Sequence, residues 1–215
     1  MKIAIFSEFT TDEAVLKILV EGILGEEIEQ IAYRKKLQSR GSGVPRDVPV
    51  VLRDVYYNSE AEFLVVVRDS DDSPIHKKEH NKRGNKEAER CRLCELQKIV
   101  SSELANLSIM PGKENFKVAV GVAVPAIEAW LLCGVESYAN EANWVNKQRE
   151  KGSSTYNDRK LLKTKLYGSE IAPGNVKTAR QVEAARRLSN NIEQLEKLFP
   201  AGFGSLAAEI RSWKK

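Results

Sequence analysis

The stretch Phe63-Leu64-Val65-Val66-Val67-Arg68-Asp69-Ser70-Asp71-Asp72 constrains the fold more than any other part of this chain. Its large apolar residues follow one another without the alternation of a half-wet strand, so it reads as a strand buried on both faces in the middle of a parallel sheet. It stops on charge. Open α/β sheets place their ligands outside the carboxyl ends of the strands. Side chains two apart on an extended chain point the same way, so Asp69 and Asp71 are expected to converge on one site, with Asp72 in support. Two hard oxygen donors suit Mg2+ or Mn2+, which bind through one or two carboxylates and keep several waters. The competing reading is a solvated turn or a helix cap.

The first segment strengthens the metal reading. Lys2-Ile3-Ala4-Ile5-Phe6 is a second apolar strand ending at Ser7-Glu8, followed by Val15, Leu16, Leu19, Val20, Ile23 and Leu24 at helical spacing. Thr10 or Thr11 is expected to cap that helix, with Glu13 in a capping-box position if the cap is Thr10. If the strands are parallel, Glu8 lies at the same rim as Asp69 and Asp71.

Further along, Ile28 to Tyr33 reads as a strand, 34–46 as a mobile loop and Asp47 to Tyr57 as a helix. A polar insert occupies about 73–87, and a helix runs from about 88 to 107. Phe116 to Val124 is another strand, and Ala126 to Cys133 an apolar helix whose one charge is Glu128. Glu128 either reaches the site at the sheet edge or pairs with a nearby cation or the helix dipole. Helices follow near 136–149, 158–166, 176–198 and 203–213. The pattern implies an α/β fold, a mostly parallel sheet with helices on both faces. It divides into an α/β unit at 1–135, with its insert at about 73–95, and a helical C-terminal extension at 136–215 packed on it.

Glu8 and Asp69-Ser70-Asp71 together resemble the Toprim family, the metal-binding module of topoisomerases, primases and OLD-type nucleases. Glu8-Phe9-Thr10-Thr11-Asp12 is similar to the Glu-x-x-x-acidic version of OLD-type enzymes, although Phe9 stands where a glycine usually follows the glutamate. Ile127-Glu128-Ala129-Trp130-Leu131 resembles a segment of compact, uncharacterised bacterial Toprim-like proteins associated with phage defence. The tail Phe199-Pro200-Ala201-Gly202-Phe203-Gly204 is similar to that group less specifically. The resemblance implies a Toprim-like (Rossmann-like) fold and a phosphodiester hydrolase, a nuclease dependent on Mg2+ or Mn2+. Asp69 and Asp71 would hold the metal, Glu8 would complete its shell or act as general acid/base, Asp12 would join through water or a second metal, and Glu128 would serve the same site.

Composition fits a single enzyme-sized body. The chain has 215 residues and no apolar run of the roughly 18 residues a membrane span needs. Charges at Glu8, Asp12 and Glu13 interrupt any signal-peptide layout. Three cysteines, an odd number, argue against a disulfide framework and for a reducing compartment, the cytoplasm. Residues 147–187 carry eleven Lys/Arg against four acids, which suits a nucleic-acid partner, and Trp144, Tyr156 and Tyr167 could stack on bases. The bland alternative is a solvated helix face with packed aromatics. No Walker loop occurs, so any ATPase would be a separate partner protein.

The polar insert carries a second constellation, His76-x3-His80 and Cys91-x2-Cys94. It holds the only two histidines and two of the three cysteines. Two thiolates and two imidazoles complete a tetrahedral Zn2+ shell at ordinary spacings, although the His-His then Cys-Cys order reverses the common finger. The alternatives are a redox Cys-x2-Cys and a pair with no role. Cys133 and Trp130 read as core.

The expected function is therefore a Toprim-type nuclease in bacterial defence or DNA maintenance. Two rivals stand beside it: a catalytically silent sensor or scaffold in a multi-protein defence complex, and an enzyme using the same metal chemistry on small nucleotides.

Overall fold

The computed structural model describes residues 1–33, 43–82, 84–151 and 156–214, with the backbone alone at 150, 151 and 156. Four strands, β1 (Lys2–Phe6), β2 (Glu29–Gln30), β3 (Phe63–Asp69) and β4 (Lys117–Ala123), form one sheet in the order β2-β1-β3-β4. Every pairing is parallel, with Ile3 beside Phe63 and Phe63 beside Lys117. The two central strands are thus β1 and β3, the two runs that lack alternation in the sequence. Their side chains supply two cores, one on each face.

On one face Ile3, Ile5, Val65 and Val67 pack against α1 (Thr10–Leu24) and the C-terminal helices α8 (Gly174–Ser189), α9 (Ile192–Leu198) and α10 (Ser205–Ser212). On the other, Ala4, Phe6, Leu64 and Val66 meet α2 (Val44–Asn58) and α4 (Arg92–Ala105). The C-terminal helices therefore belong to the same core as β1 and β3. α1 and α8 approach closely at Gly22, where an added Cβ would lie 2.9 Å from the Ser189 Cα. Between β4 and α8 come the short α5 (Ile127–Leu131), α6 (Glu141–Lys151) and α7 (Tyr156–Tyr167).

Several boundaries depart from the sequence reading. The edge strand shrinks to Glu29–Gln30, because only its start lies beside β1. α2 begins earlier, at Val44, with Pro45 in its first turn, where the missing N–H costs nothing. The expected loop falls mostly at 34–42, outside the described residues. α1 starts after Phe9, whose extended backbone ends the turn, and neither threonine caps it. Glu13 accepts a hydrogen bond from the Tyr33 hydroxyl at 2.8 Å instead of closing a capping box. The helix expected at 88–107 is two, α3 (Lys86–Arg90) and α4, separated at Cys91, which adopts extended backbone.

Candidate functional site

β1, β3 and β4 all point their carboxyl ends at one rim, and the loops leaving them carry the acids. Glu8 lies on the β1–α1 turn, Asp12 in the first turn of α1, Asp69 at the last position of β3, and Glu128 in α5, just beyond β4. The structure brings these together with Asp71: the negative charges of Glu128, Glu8, Asp12 and Asp71 all act on Asp69. Enclosure of its carboxyl by protein, reinforced by those charges, pushes the pKa of Asp69 well above the carboxylate range. Burial likewise raises Asp12, to about 7, with the Glu128 charge adding to it and the hydrogen bond from Gln181 Nε2 at 3.1 Å opposing it. Glu8 is raised by burial and by Asp71, and pulled back by Arg68, Arg92 and the Asp69 amide. Its Oε1 is buried with no hydrogen-bond partner. Glu8, Asp12 and Asp69 thus hold their protons more tightly than free carboxylic acids do.

Asp69 and Asp71 do not sit side by side on an extended strand as expected. β3 ends at Asp69, a turn closes from Ser70 O to Ser73 N at 2.9 Å, and Asp71 adopts φ 46°. Its amide donates to Pro125 O at 3.0 Å, tying the turn to the exit of β4. The two carboxylates consequently have different duties. Asp69 Oδ1 accepts the Ile127 N–H at 3.0 Å, at the start of α5. Asp71 is ion-paired by both Arg92 and Arg159. Arg92 also donates to Asp69 O at 2.7 Å.

Glu128 is buried and accepts a hydrogen bond from the Tyr167 hydroxyl at 3.0 Å. Both sequence accounts placed a partner or a site there; the partner is a tyrosine, and Asp12 and Asp69 lie within reach of its charge. Arg68, on the opposite face of β3 from Asp69, is 4% exposed and ion-paired with Glu95 at 3.0 Å.

The insert between β3 and β4 brings all four of its expected ligands together. One ligand atom from each of His76, His80, Cys91 and Cys94 lies within 4.8 Å of every other. Cys94 Sγ stands 3.3 Å from His76 Nδ1 and 3.9 Å from His80 Nδ1, and Cys91 Sγ 3.8 Å from His76 Nδ1. This cluster could bind a metal ion such as zinc. Among the described residues it is the one group of three or more potential ligands at such mutual distances, so the acids of the rim form no comparable cage.

Of the basic region, much is already engaged. Lys147 pairs with Asp158 at 2.8 Å, Lys160 with Glu170 at 2.9 Å and Lys165 with Glu136 at 3.3 Å, while Arg159 faces the rim. Arg187 donates to the carbonyls of Leu131 and Cys133. Trp144 and Tyr167 are buried, which removes them as stacking platforms; Trp144 joins the core that contains α5 and α8, and Tyr167 turns its hydroxyl to Glu128. Arg149 and Arg186 are exposed. The side chain of Tyr156 lies outside the described residues. No helix among the described residues is long and apolar enough to cross a membrane.

Sequence reasoning missed Arg92, Arg159, Tyr167 and Gln181 as rim partners. Arg92 had one available signal, its place inside Cys91-x2-Cys94; the other three sit on helices far along the chain. No family model, no curated protein and no solved structure matches this chain.

Proposed function

We propose that the protein is a divalent-cation-dependent phosphodiester hydrolase, a nuclease of the Toprim type. The observation that carries the reading is the convergence of Glu8, Asp12, Asp69, Asp71 and Glu128, from separate strand exits, on one rim of an all-parallel sheet. The resemblance supports the same reading, since it implies a glutamate after the first strand near acids that follow a later one. Glu8, with its orphaned Oε1, and Asp69 fit Mg2+ or Mn2+, which needs only one or two carboxylates besides water. When bound there, such a cation would polarise a phosphoryl oxygen and lower the pKa of a bound water.

The chain's own groups would divide the remaining work. Asp12, at about 7, stands near neutrality and can take or return a proton through water. Gln181 and Tyr167 orient Asp12 and Glu128. Arg92 and Arg159 neutralise charge at the Asp71 side, and exposed Arg149 and Arg186 would meet a phosphate backbone. A DNA or RNA substrate rather than a small nucleotide is supported by the excess of positive charge over 147–187.

The test is cleavage of labelled DNA and RNA with Mg2+ and with Mn2+. Asp69→Asn and Glu8→Gln should each lower the rate by about 100-fold or more, without loss of fold by circular dichroism. The pairing of Asp71 by two guanidiniums favours a second reading, a silent scaffold whose acids are internally neutralised. Absence of metal-dependent cleavage in the wild type, on either polymer, would leave that reading standing.

A further inference from the structure

The insert is poor in apolar burial. α3 buries none of its residues, and the single 3-10 turn at Lys78–Asn81 buries only His80, whose polar ring is an unfavourable core filler. Between Lys77 and Cys91 the described buried side chains are His80 and Cys91, both potential ligands, and His76 and Cys94 stand half-buried beside them. A tetrahedral metal with bonds of about 2.3 Å to sulfur and about 2.0 Å to nitrogen separates its ligands by about 3.3 to 3.8 Å. Three of the histidine–sulfur separations, 3.3, 3.8 and 3.9 Å, lie at or close to that spacing, and all four ligand atoms lie within 4.8 Å of one another. The two imidazoles meet edge to face at 89°, and each turns its Nδ1 toward a sulfur. On the far side of the ring, His80 Nε2 lies 3.4 Å from Glu87 Oε2, the carboxylate contact that commonly fixes the tautomer of a metal-bound histidine.

The two cysteines flank Arg92. Cys91 is the residue from which α4 departs and Cys94 lies in its first turn, so whatever holds both sulfurs fixes the start of α4. From there the Arg92 amide donates to Ser73 Oγ at 3.0 Å, and its guanidinium grips Asp69 O and the Asp71 carboxylate. The turn that carries Asp71, at φ 46°, is thereby held from the insert side.

We propose that His76, His80, Cys91 and Cys94 form a closed structural Zn2+ site that acts through Arg92 as a positioning device for the Asp69–Ser73 turn of the acidic rim. Four protein ligands leave no open position, so the ion does no chemistry itself. Binding releases the two thiol protons and leaves a neutral complex of Zn2+ with two thiolates and two imidazoles. The claim concerns placement of the turn and holds whether or not the rim is catalytic.

The experiment uses the full chain purified without chelator. Elemental analysis should find about one zinc per chain, and replacement by Co2+ should give the visible absorption of a tetrahedral thiolate-ligated ion. Amide hydrogen exchange then reads the turn. Stripping the zinc, or Cys94→Ser, should speed exchange at 69–73 about tenfold or more, the scale of a lost charged hydrogen bond. Arg92→Met should do the same while keeping its zinc, and stripping zinc from Arg92→Met should add little. Arg92→Lys should recover part of the protection. If zinc removal unfolds the chain, Arg92→Met still tests the connection, because its cage is intact. Metal-free protein with its cysteines kept reduced that takes up neither Zn2+ nor Co2+ overturns the site. Zinc-loaded Arg92→Met with unchanged exchange at 69–73 overturns the positioning role. Neither failure touches the nuclease assay, which is read separately.

Discussion

At the scale of single residues, the rim is governed by the difficulty of holding several carboxylates together away from water. Asp12 shows the consequence most directly. Its pKa rises from 3.8 to about 7 on folding, so the folded state keeps the proton while the unfolded state loses it. The stability contributed by this group is therefore full below pH 3.8 and is lost as pH climbs to about 7, a change on the order of 4 kcal/mol. Asp12→Asn should flatten that dependence and stabilise the protein at neutral pH, measured as denaturant midpoints across pH 4 to 8. The asparagine keeps the acceptor for Gln181 Nε2 and adds a donor for Gln181 Oε1, which is buried without a partner. On the proposed function, adding Mg2+ or Mn2+ to the wild type should shrink the same dependence, because a cation bound there would offset the Glu8 charge that Asp12 feels.

At the scale of elements, the C-terminal segment is locked to β4 through its backbone. The π-helical turn Pro200–Gly204 crosses so closely that an added Cβ at Gly202 would lie 2.4 Å from Val122 O. Glu141, buried at the start of α6, accepts the N–H groups of Ala201 and Gly202 at 2.8 Å each. Those contacts explain why the tail runs Phe199-Pro200-Ala201-Gly202-Phe203: the aromatic rings fill the core, and the residue between them must be bare. Gly202→Ala should destabilise by about 2 kcal/mol or more through overpacking. Glu141→Ala should destabilise by about 2 to 4 kcal/mol by leaving one buried and one half-buried donor unpaired. Both are measurable by urea titration.

At the scale of the whole molecule, one face of the sheet is covered by α1 together with helices from the last third of the chain, in one continuous core with Phe199, Phe203, Leu206, Ile210 and Trp213. Phe63 stacks on Trp213 with centroids 4.5 Å apart. A fragment of residues 1–135 should therefore fail to fold cooperatively, since it would expose to water the part of that face that α1 leaves to the C-terminal helices. Its thermal melt should be broad or absent, and co-expression with 136–215 should restore a cooperative transition. The rim depends on the same closure: Tyr167, Gln181 and Arg159, which partner Glu128, Asp12 and Asp71, all come from the C-terminal helices.

By itself the sequence determined the buried central strands, because an unbroken run such as Phe63 to Val67 is stable only between two covered faces. It also determined the acids that end those strands and the His-Cys quartet of the insert, since short-range spacing and residue type carry that information. Only the tertiary structure decided how the acids are shared. That Asp71 turns to φ 46° and faces two arginines, while Asp69 stays with Glu8, Asp12 and Glu128, follows from a turn pinned by Pro125 O and Arg92. Those contacts join positions tens of residues apart, and no local periodicity records them. Trp144 and Tyr167, interleaved with basic residues along the chain, are drawn inside for the same reason: a core is filled by whatever large apolar surface the packing brings to it, not by its neighbours in sequence.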